Sequence, residues 1–515
     1  MTPAGRSVER ETKLAVGAGY TLPDLSGVVG GTVALPEQRT LTRYFDTSDH
    51  RLWNRAVTLR HRSGEGPGPG TWTLKLPEGD SDGDGAATLD RTELTWPGPS
   101  DAVPTDAARI VRGLVRHGTL AMVAELHSVR RRLTLQDAAG TAWGELDDDT
   151  VTVVDTQPPR FRQIEVELVG DHDGQLGDVV QALRRAGAEP DPEPKLAKAF
   201  RVAGRIRGVP LPEPVSLDRK STVGDLVTVS LRRGVDQLLE HDVRLRADGA
   251  EPAPNDVHQA RVATRRLRSD LKVVGGYVDP VWLAHTRDEL RWLGGVLGAV
   301  RDADVLSGTL TADTSGTMAL RSSLGAERRA AARQLASTLE SERYLALLDR
   351  LVAASEHPPL IPAEPVGGGD RTLGARAGGP AAGTVLPRLI EGRLRALRRS
   401  VASAGRHPSD TQLHRIRIRA KQLRYTAESA VPVLGKPARR MAAAAEDLQT
   451  VLGEHHDSVA AEHWLRRQVA GTTPDAAFAA GVLVAREHRR QRRLRHRWRP
   501  VWARLDRREL HRFLG

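Results

Sequence analysis

Cysteine is absent from all 515 residues. That excludes a disulfide framework and any thiolate nucleophile or thiolate metal site. The absence fits a reducing compartment, and a cytoplasmic location is expected. The opening segment, MTPAGRSVERE, has no apolar core of the kind a secretion signal needs. No run of about 18 apolar residues occurs, so no membrane span is expected. Lysine is scarce beside arginine, a bias that a GC-rich genome explains as well as selection does.

What is present is a chain long enough for two to four domains, with 39% hydrophobic residues and so enough apolar surface for real cores. The net charge of +11 is unevenly spread. Residues 1–205 carry 25 Lys and Arg against 30 Asp and Glu, whereas the remainder carries 51 against 35. A basic C-terminal part points to a polyanionic partner such as nucleic acid, an anionic membrane or polyphosphate.

Residues 1–200 read as mainly β, with short alternating runs cut by loops such as GEGPGPG at 64–70 and EGDSDGDGAA at 78–87. Helices are expected near 105–117 and 174–187. A Pro-rich linker is expected over 204–221, separating a first domain (1–203) from a helical one (222–515). A Pro- and Gly-rich connector, 357–383, divides the latter into halves of about 222–356 and 384–515.

The strands carry a distinctive chemistry. Glu9, Glu11 and Lys13 alternate in SVERETKL, so an extended chain turns all three to one side. Arg60 and Arg62 alternate in TLRHR, Lys75 sits in WTLKLP, and Arg91 alternates with Glu93. Arg130 alternates with Arg132, Asp147 with Asp149, and Glu165 with Glu167. One such pair is ordinarily a solvated strand face. Seven strands with acid on some, base on others, and often apolar opposite faces describe a charged concave interior. Carboxylate pairs from different strands make a hard-oxygen site for Mg²⁺ or Mn²⁺. Guanidinium groups opposite them hold phosphate oxygens. Glu9 and Glu11 therefore read as metal ligands and Lys13 as a phosphate contact, and the three form the candidate catalytic group.

These motifs, with YFDT at 44–47, EVEL at 165–168 and PKLAKAF at 194–200, resemble in order the ExExK-bearing CYTH, or triphosphate tunnel metalloenzyme, superfamily. The resemblance covers roughly residues 6–203. It implies a closed antiparallel β tunnel of about eight strands that binds triphosphates with divalent metal. By that likeness Glu9, Glu11, Asp149, Glu165 and Glu167 are metal ligands. Lys13, Arg60, Arg62, Lys75, Arg130 and Lys195 grip the triphosphate, and Glu93 supports metal or water. Asp147 and Arg132 share faces with Asp149 and Arg130, so the register of each pair stays open, and Arg91 joins the substrate-binding candidates.

The helical part repeats itself. His258, Arg261, Arg265 and Arg268 return at the same spacing as His414, Arg417, Lys421 and Arg424, and Lys272 extends the first set. LGxxxD returns as well, ending at Asp302 and Asp457, which lie 44 and 43 residues after the two histidines. On a helix each set forms one stripe. Two facing basic stripes can track a long polyanion through phosphate contacts. With no cysteine and no metal-ligand spacing around the histidines, zinc is not expected. The duplicated segments resemble the CHAD domain, which implies an all-α fold of two pseudo-symmetric halves and inorganic polyphosphate as the ligand. Asp302 and Asp457 read as structural partners of arginine. Eight arginines between 486 and 499 read first as a solvated helix whose Trp498 packs on the bundle, and second as an auxiliary polyanion contact.

The expected function is a metal-dependent triphosphatase acting on inorganic triphosphate or a related triphosphate, with a polyphosphate-binding helical domain. The alternatives are a non-catalytic polyphosphate-binding protein at polyphosphate granules, and nucleotide chemistry such as adenylate cyclisation or nucleoside or RNA triphosphatase action. Nucleic acid ranks below polyphosphate as a partner, and the sequence leaves the oligomeric state open.

Overall fold

The computed structural model describes residues 5–77, 89–154, 160–168, 173–191, 193–202, 216–311, 313–361 and 379–514; for residues 6–11, 89–91, 173–174 and 202 it describes the main chain. The chain divides into two compact units, Met1–Glu213 and Pro214–Gly515. Most of the expected linker (204–221) and connector (357–383) lies outside the described residues.

The first unit follows the alternating pattern into antiparallel strands: β1 (Gly5–Val16), β2 (Gly31–Asp46), β3 (Thr58–Ser63), β4 (Thr71–Pro77) and β5 (Leu89–Pro97). Two short helices, α1 (Thr105–Ile110) and α2 (Arg112–Val115), stand where one helix was expected. Then come β6 (Ala121–Gln136), β7 (Ala142–Val153), β8 (Arg160–Leu168), α3 (Asp173–Arg185), β9 (Glu189–Pro190) and α4 (Lys195–Val202). The sheet order is β5-β4-β3-β2-β6-β7-β8-β1-β9. The expected eight-strand antiparallel architecture is present, but not as one continuous ladder. β1 divides itself, pairing with β5 through Gly5–Glu11 and with β8 through Glu11–Val16.

Alternation sorts the two faces. On the outer one Leu14, Leu135, Leu146, Ile164 and Val166 are buried under Leu176, Val179 and Leu183 of α3. The spacing of those α3 residues is that of one helical stripe, and each such side chain contributes about 1.5–3 kcal/mol by leaving water. The inner face is charged near Arg130 and Asp149 but becomes apolar further along the same strands, at Ala124, Leu126, Val151 and Val153. There α4 packs Leu196, Ala199 and Phe200 against it. The ring of Phe200 is itself held by His50 and Trp53, at centroid distances of 4.7 and 5.9 Å. Asp46 fixes the loop bearing them by accepting hydrogen bonds from the main-chain N–H groups of Leu52 and Trp53, both at 2.9 Å. The acid in YFDT thus positions α4.

The second unit is helical: α5 (Val223–Asp248), α6 (Pro254–Val273), α7 (Pro280–Ser307), α8 (Ser315–Glu340), α9 (Glu342–Glu356), α10 (Ala382–Ala402), α11 (Asp410–Leu434), α12 (Lys436–Gln468) and α13 (Pro474–Leu505). Neighbours in the first half, α5–α6, α6–α7 and α7–α8, have counterparts in α10–α11, α11–α12 and α12–α13, and α6 meets α11 between the halves. The residues capping the N-termini of α5 and α10, Thr222 and Ala381, pair with each other in an antiparallel bridge. Ser429 on α11 donates a hydrogen bond to Asp270 on α6 at 2.8 Å, a polar link buried between the halves. The arginine-rich α13 packs Leu494 and the fully buried Trp498 on the bundle. Arg495 on the same helix donates to the carbonyl of Pro408 at 2.6 Å, so at least part of this run is structural.

Candidate functional site

In the first unit, side chains from all eight strands β1–β8 and the start of α4 line one cavity of about 320 Å³. Pro194, Lys195 and Leu196 line it where the apolar packing of α4 begins. Eleven of the expected residues meet there: Lys13, Arg60, Arg62, Lys75, Glu93, Arg130, Arg132, Asp147, Glu165, Glu167 and Lys195. Glu9, Glu11 and Arg91 are placed by their main chain, with Glu9 opposite Arg91 and Glu11 opposite Glu167.

Asp149 stands apart. It is fully buried and absent from the lining. Arg130 grips it in a bidentate pair, both bonds 2.8 Å, and the Lys195 ammonium pairs with it too. Lys195 also reaches Glu165 at 2.7 Å, and Lys13 lies 3.7 Å from Glu165. Lys75 pairs with Glu93, Arg132 with Glu145, and Arg62 with Glu65 at 2.9 Å. Glu145 and Glu65 line the cavity and were not anticipated. Glu145 was legible, since Glu145, Asp147 and Asp149 form one alternating series; Glu65 sits in a loop, where period carries no information.

The electrostatics follow from this crowding. Burial works to raise the Glu165 carboxyl, but Lys195, Lys13 and Arg130 outweigh it and hold the group well below its usual range. Asp149 is likewise lowered against burial by Lys195 and Arg130. Asp147 goes the other way. Burial, reinforced by Asp149, Glu145 and Glu165, pushes it up to about 7 despite Arg130. Its Oδ1 is buried without a hydrogen-bond partner. Asp147 stands directly opposite Glu165, and Glu145 opposite Glu167. Like charges directly across a ladder are destabilising.

A buried carboxylate oxygen with no hydrogen bond, 3.8 Å from Arg132 and beside paired acids, is a donor set that suits a hard divalent cation. Among the described residues, no three Asp, Glu or His side chains converge as a ready-made cage. Here Arg130 and Lys195 hold the acids instead.

In the second unit the two basic stripes lie on α6 and α11, which pack together. A cavity of about 290 Å³ is lined by Arg265, Arg268, Lys272 and Lys421, with Arg287 of α7 and Arg393 of α10, two residues no local pattern marks. His258, Arg261, His414, Arg417 and Arg424 lie outside that lining. Arg261 pairs with Asp302 at 3.0 Å, as the spacing suggested, and Arg424 pairs with Glu428 at 3.0 Å. Arg265, Arg287 and Arg417 each keep a buried Nε without a hydrogen-bond partner. Burial, with Arg417, Arg265 and Arg261 adding, drops the Lys421 amine to about 6. His414 Nδ1 lies 3.3 Å from His456 Nδ1, and burial with Arg417 lowers His456 to about 4. No helix among the described residues is long and apolar enough to cross a membrane.

Residues 8–191 match the CYTH domain and residues 230–466 the CHAD domain. Uncharacterized proteins from two strains of Mycobacterium tuberculosis are 31% identical over 544 aligned positions, covering 97% of both chains. Among solved structures, the CHAD domain from the plant Ricinus communis is 24% identical over 57% of this chain and 94% of its own, with a TM-score of 0.46. The protein PptA from Streptomyces chartreusis is 21% identical over 55% of this chain and 100% of its own, with a TM-score of 0.44. A Hippeastrum protein, described as an adenylyl cyclase candidate with a dominant triphosphatase activity, is 18% identical over 40% of this chain and 99% of its own, with a TM-score of 0.26. The CYTH match supports a triphosphate-related function. The chain belongs to the family of proteins that join a CYTH domain to a CHAD domain.

Proposed function

We propose that the β unit is a metal-dependent triphosphatase that takes inorganic triphosphate or a related triphosphate into its cavity, and that the helical unit binds inorganic polyphosphate. The observation carrying the first reading is the alternation of acid and base around one cavity, with a buried Asp147 oxygen that makes no hydrogen bond. Glu9, Glu11, Asp147, Glu165 and Glu167 would hold Mg²⁺ or Mn²⁺. When bound, such an ion neutralises phosphate charge and acidifies an attacking water.

The chain's own residues do the rest. Lys13, Arg60, Arg62, Lys75, Arg130, Arg132 and Lys195 supply phosphate contacts, with Arg91 beside them. On binding, Arg130 and Lys195 would turn from Asp147 and Glu165 toward phosphate oxygens while keeping their contacts with Asp149. Asp149 serves as a positioning residue for Arg130 and Lys195, since both its oxygens are already taken by them. Glu93 orients Lys75.

In the helical unit, Arg265, Arg268, Lys272 and Lys421 gather around one cavity; His258, Arg261, His414, Arg417 and Arg424 would be further contacts for the polyanion. The Nε atoms of Arg265, Arg287 and Arg417, which make no hydrogen bond, are donors that phosphate oxygens would accept from.

The test is phosphate release from inorganic triphosphate, ATP, thiamine triphosphate and long-chain polyphosphate, with Mg²⁺ and with Mn²⁺, by the full chain and by a Glu9→Ala/Glu11→Ala variant. Metal-dependent release that the variant loses is expected. No release from any substrate rejects the enzyme in favour of a binding protein, and cyclic AMP from ATP favours nucleotide cyclisation.

A further inference from the structure

Alternation along β4 turns Trp72, Leu74 and Leu76 into a buried layer and leaves Thr71, Thr73 and Lys75 lining the cavity. Thr95 follows Glu93 on the same side of β5 and lines the cavity as well. The strands themselves do not need threonine there, since valine has nearly the same shape and a similar preference for strands. What the hydroxyl adds is a hydrogen-bond donor on the cavity side.

The registers give these hydroxyls a particular setting. Elsewhere on the strands the cations of the cavity stand directly opposite acids: Lys13 opposite Glu165, Lys75 opposite Glu93, Arg130 opposite Asp149 and Arg132 opposite Asp147. Arg62 stands between Thr42 and Thr71, and Glu65 pairs with it at 2.9 Å. The row through Arg60 differs. Tyr44 is opposite Arg60 on β2, Thr73 is opposite it on β4, and Thr95 is opposite Thr73 on β5. All four side chains line the cavity. The row ends at Gly5 on β1, where a Cβ would come within 3.0 Å of Thr95 Oγ1. One guanidinium and three hydroxyls thus cross β2–β5 with no carboxylate in the row.

A phosphate oxygen brought to a row that contains an acid meets a like charge, whereas in the Arg60 row it meets donors. Hydrogen bonds to an ionised oxygen are roughly twice as strong as neutral ones, and hydroxyls supply them without adding charge of either sign. We infer that Thr73 and Thr95 are substrate-binding residues: their hydroxyls donate to the oxygens of the phosphoryl group that Arg60 holds. The inference rests on the cavity being a triphosphate site. It assigns one phosphoryl group to the β2–β5 side and leaves divalent metal to the acids of β7 and β8.

The experiment uses the full chain with Mg²⁺. It measures KM and kcat for inorganic triphosphate, and the calorimetric Kd of non-hydrolysable imidotriphosphate, for the wild type, Thr73→Val, Thr95→Val and Thr73→Ser. Each valine variant should raise Kd and KM about tenfold, as expected for the loss of one hydrogen bond to a charged group, and Thr73→Ser should stay within about twofold of the wild type. Thermal midpoints without ligand, and their rise with Mn²⁺ alone, should not fall in any variant, because neither folding nor metal binding uses these hydroxyls. Valine variants that bind like the wild type overturn the inference, as does a loss that Thr73→Ser shares, which marks packing instead. Wild-type protein that neither hydrolyses triphosphate nor binds imidotriphosphate rejects the underlying reading itself, a different result from equal affinities.

Discussion

Asp147 on β7 stands directly opposite Glu165 on β8, and the two carboxylates share one cation, Arg130. A ladder position of this kind is unfavourable unless something positive is supplied, so it measures what the cavity is built to hold.

Replacing Asp147 with asparagine removes one of the facing charges while Arg130 keeps its bidentate pair with Asp149. Without divalent metal, Asp147→Asn should match or exceed wild-type stability, by about 0.2–1 kcal/mol. Mn²⁺ should stabilise the wild type and leave the variant nearly unmoved, as expected for a lost ligand. Thermal denaturation with and without Mn²⁺ checks both. A variant that is less stable without metal, yet stabilised by Mn²⁺ like the wild type, counts against Asp147 as a ligand.

Lys195 serves two buried acids at once. Lys195→Met should cost about 3 kcal/mol, because breaking a buried pair leaves an uncompensated charge. The pH dependence has a definite sign. Asp149 and Glu165 are depressed in the folded protein with Lys195 the largest opposing cation, so their stabilisation is present above their unfolded values and is lost as pH falls through the folded ones. The gap between wild type and variant should therefore be widest near neutrality and close in acid. Urea denaturation at several pH values reads it, and a gap that does not change with pH contradicts the assignment.

Lys421 gives the helical unit a proton signature. Its folded value is about 6, below the usual lysine value of 10.5, so between those limits the unfolded chain holds a proton that the folded chain lacks, and stability rises with pH across that window. A polyanion restores the charged amine. Long-chain polyphosphate binding at pH 7.5 should take up protons, seen in calorimetry as a dependence on buffer ionisation heat. Lys421→Met should lose that dependence, and a wild type without it excludes Lys421 from the contact.

Arg265 lines the basic cavity with a buried Nε lacking a partner. Arg265→Ala should weaken polyphosphate binding and lower the slope of log Kd against log salt by about 1, the mark of one lost phosphate contact. Weaker binding at an unaltered slope identifies a packing role instead.

Much of this architecture was legible because strand chemistry has a period of two. Glu165 and Glu167 fell on the inner face and Ile164 and Val166 on the buried outer one, as their alternation required. The helical duplication was legible for a similar reason: a repeated spacing survives in the one-dimensional chain. Register was not. The strands alone left Asp147 and Asp149 equivalent, whereas in the fold Asp149 is fully buried against Lys195 and Asp147 lines the cavity. Arg287 and Arg393 were missed because they come from α7 and α10, outside both stripes, and reach the cavity through tertiary packing. Glu65 was missed because a loop has no period to betray which way a residue faces.

The most direct test of the β-unit cavity as a metal–triphosphate site is the anomalous signal of crystals grown with Mn²⁺ and a non-hydrolysable imidotriphosphate. A manganese peak is expected among the carboxylates of β1, β7 and β8, with the triphosphate against Lys13, Arg60 and Arg130. Manganese absent from those strands, or the triphosphate bound only on the helical unit, would contradict it.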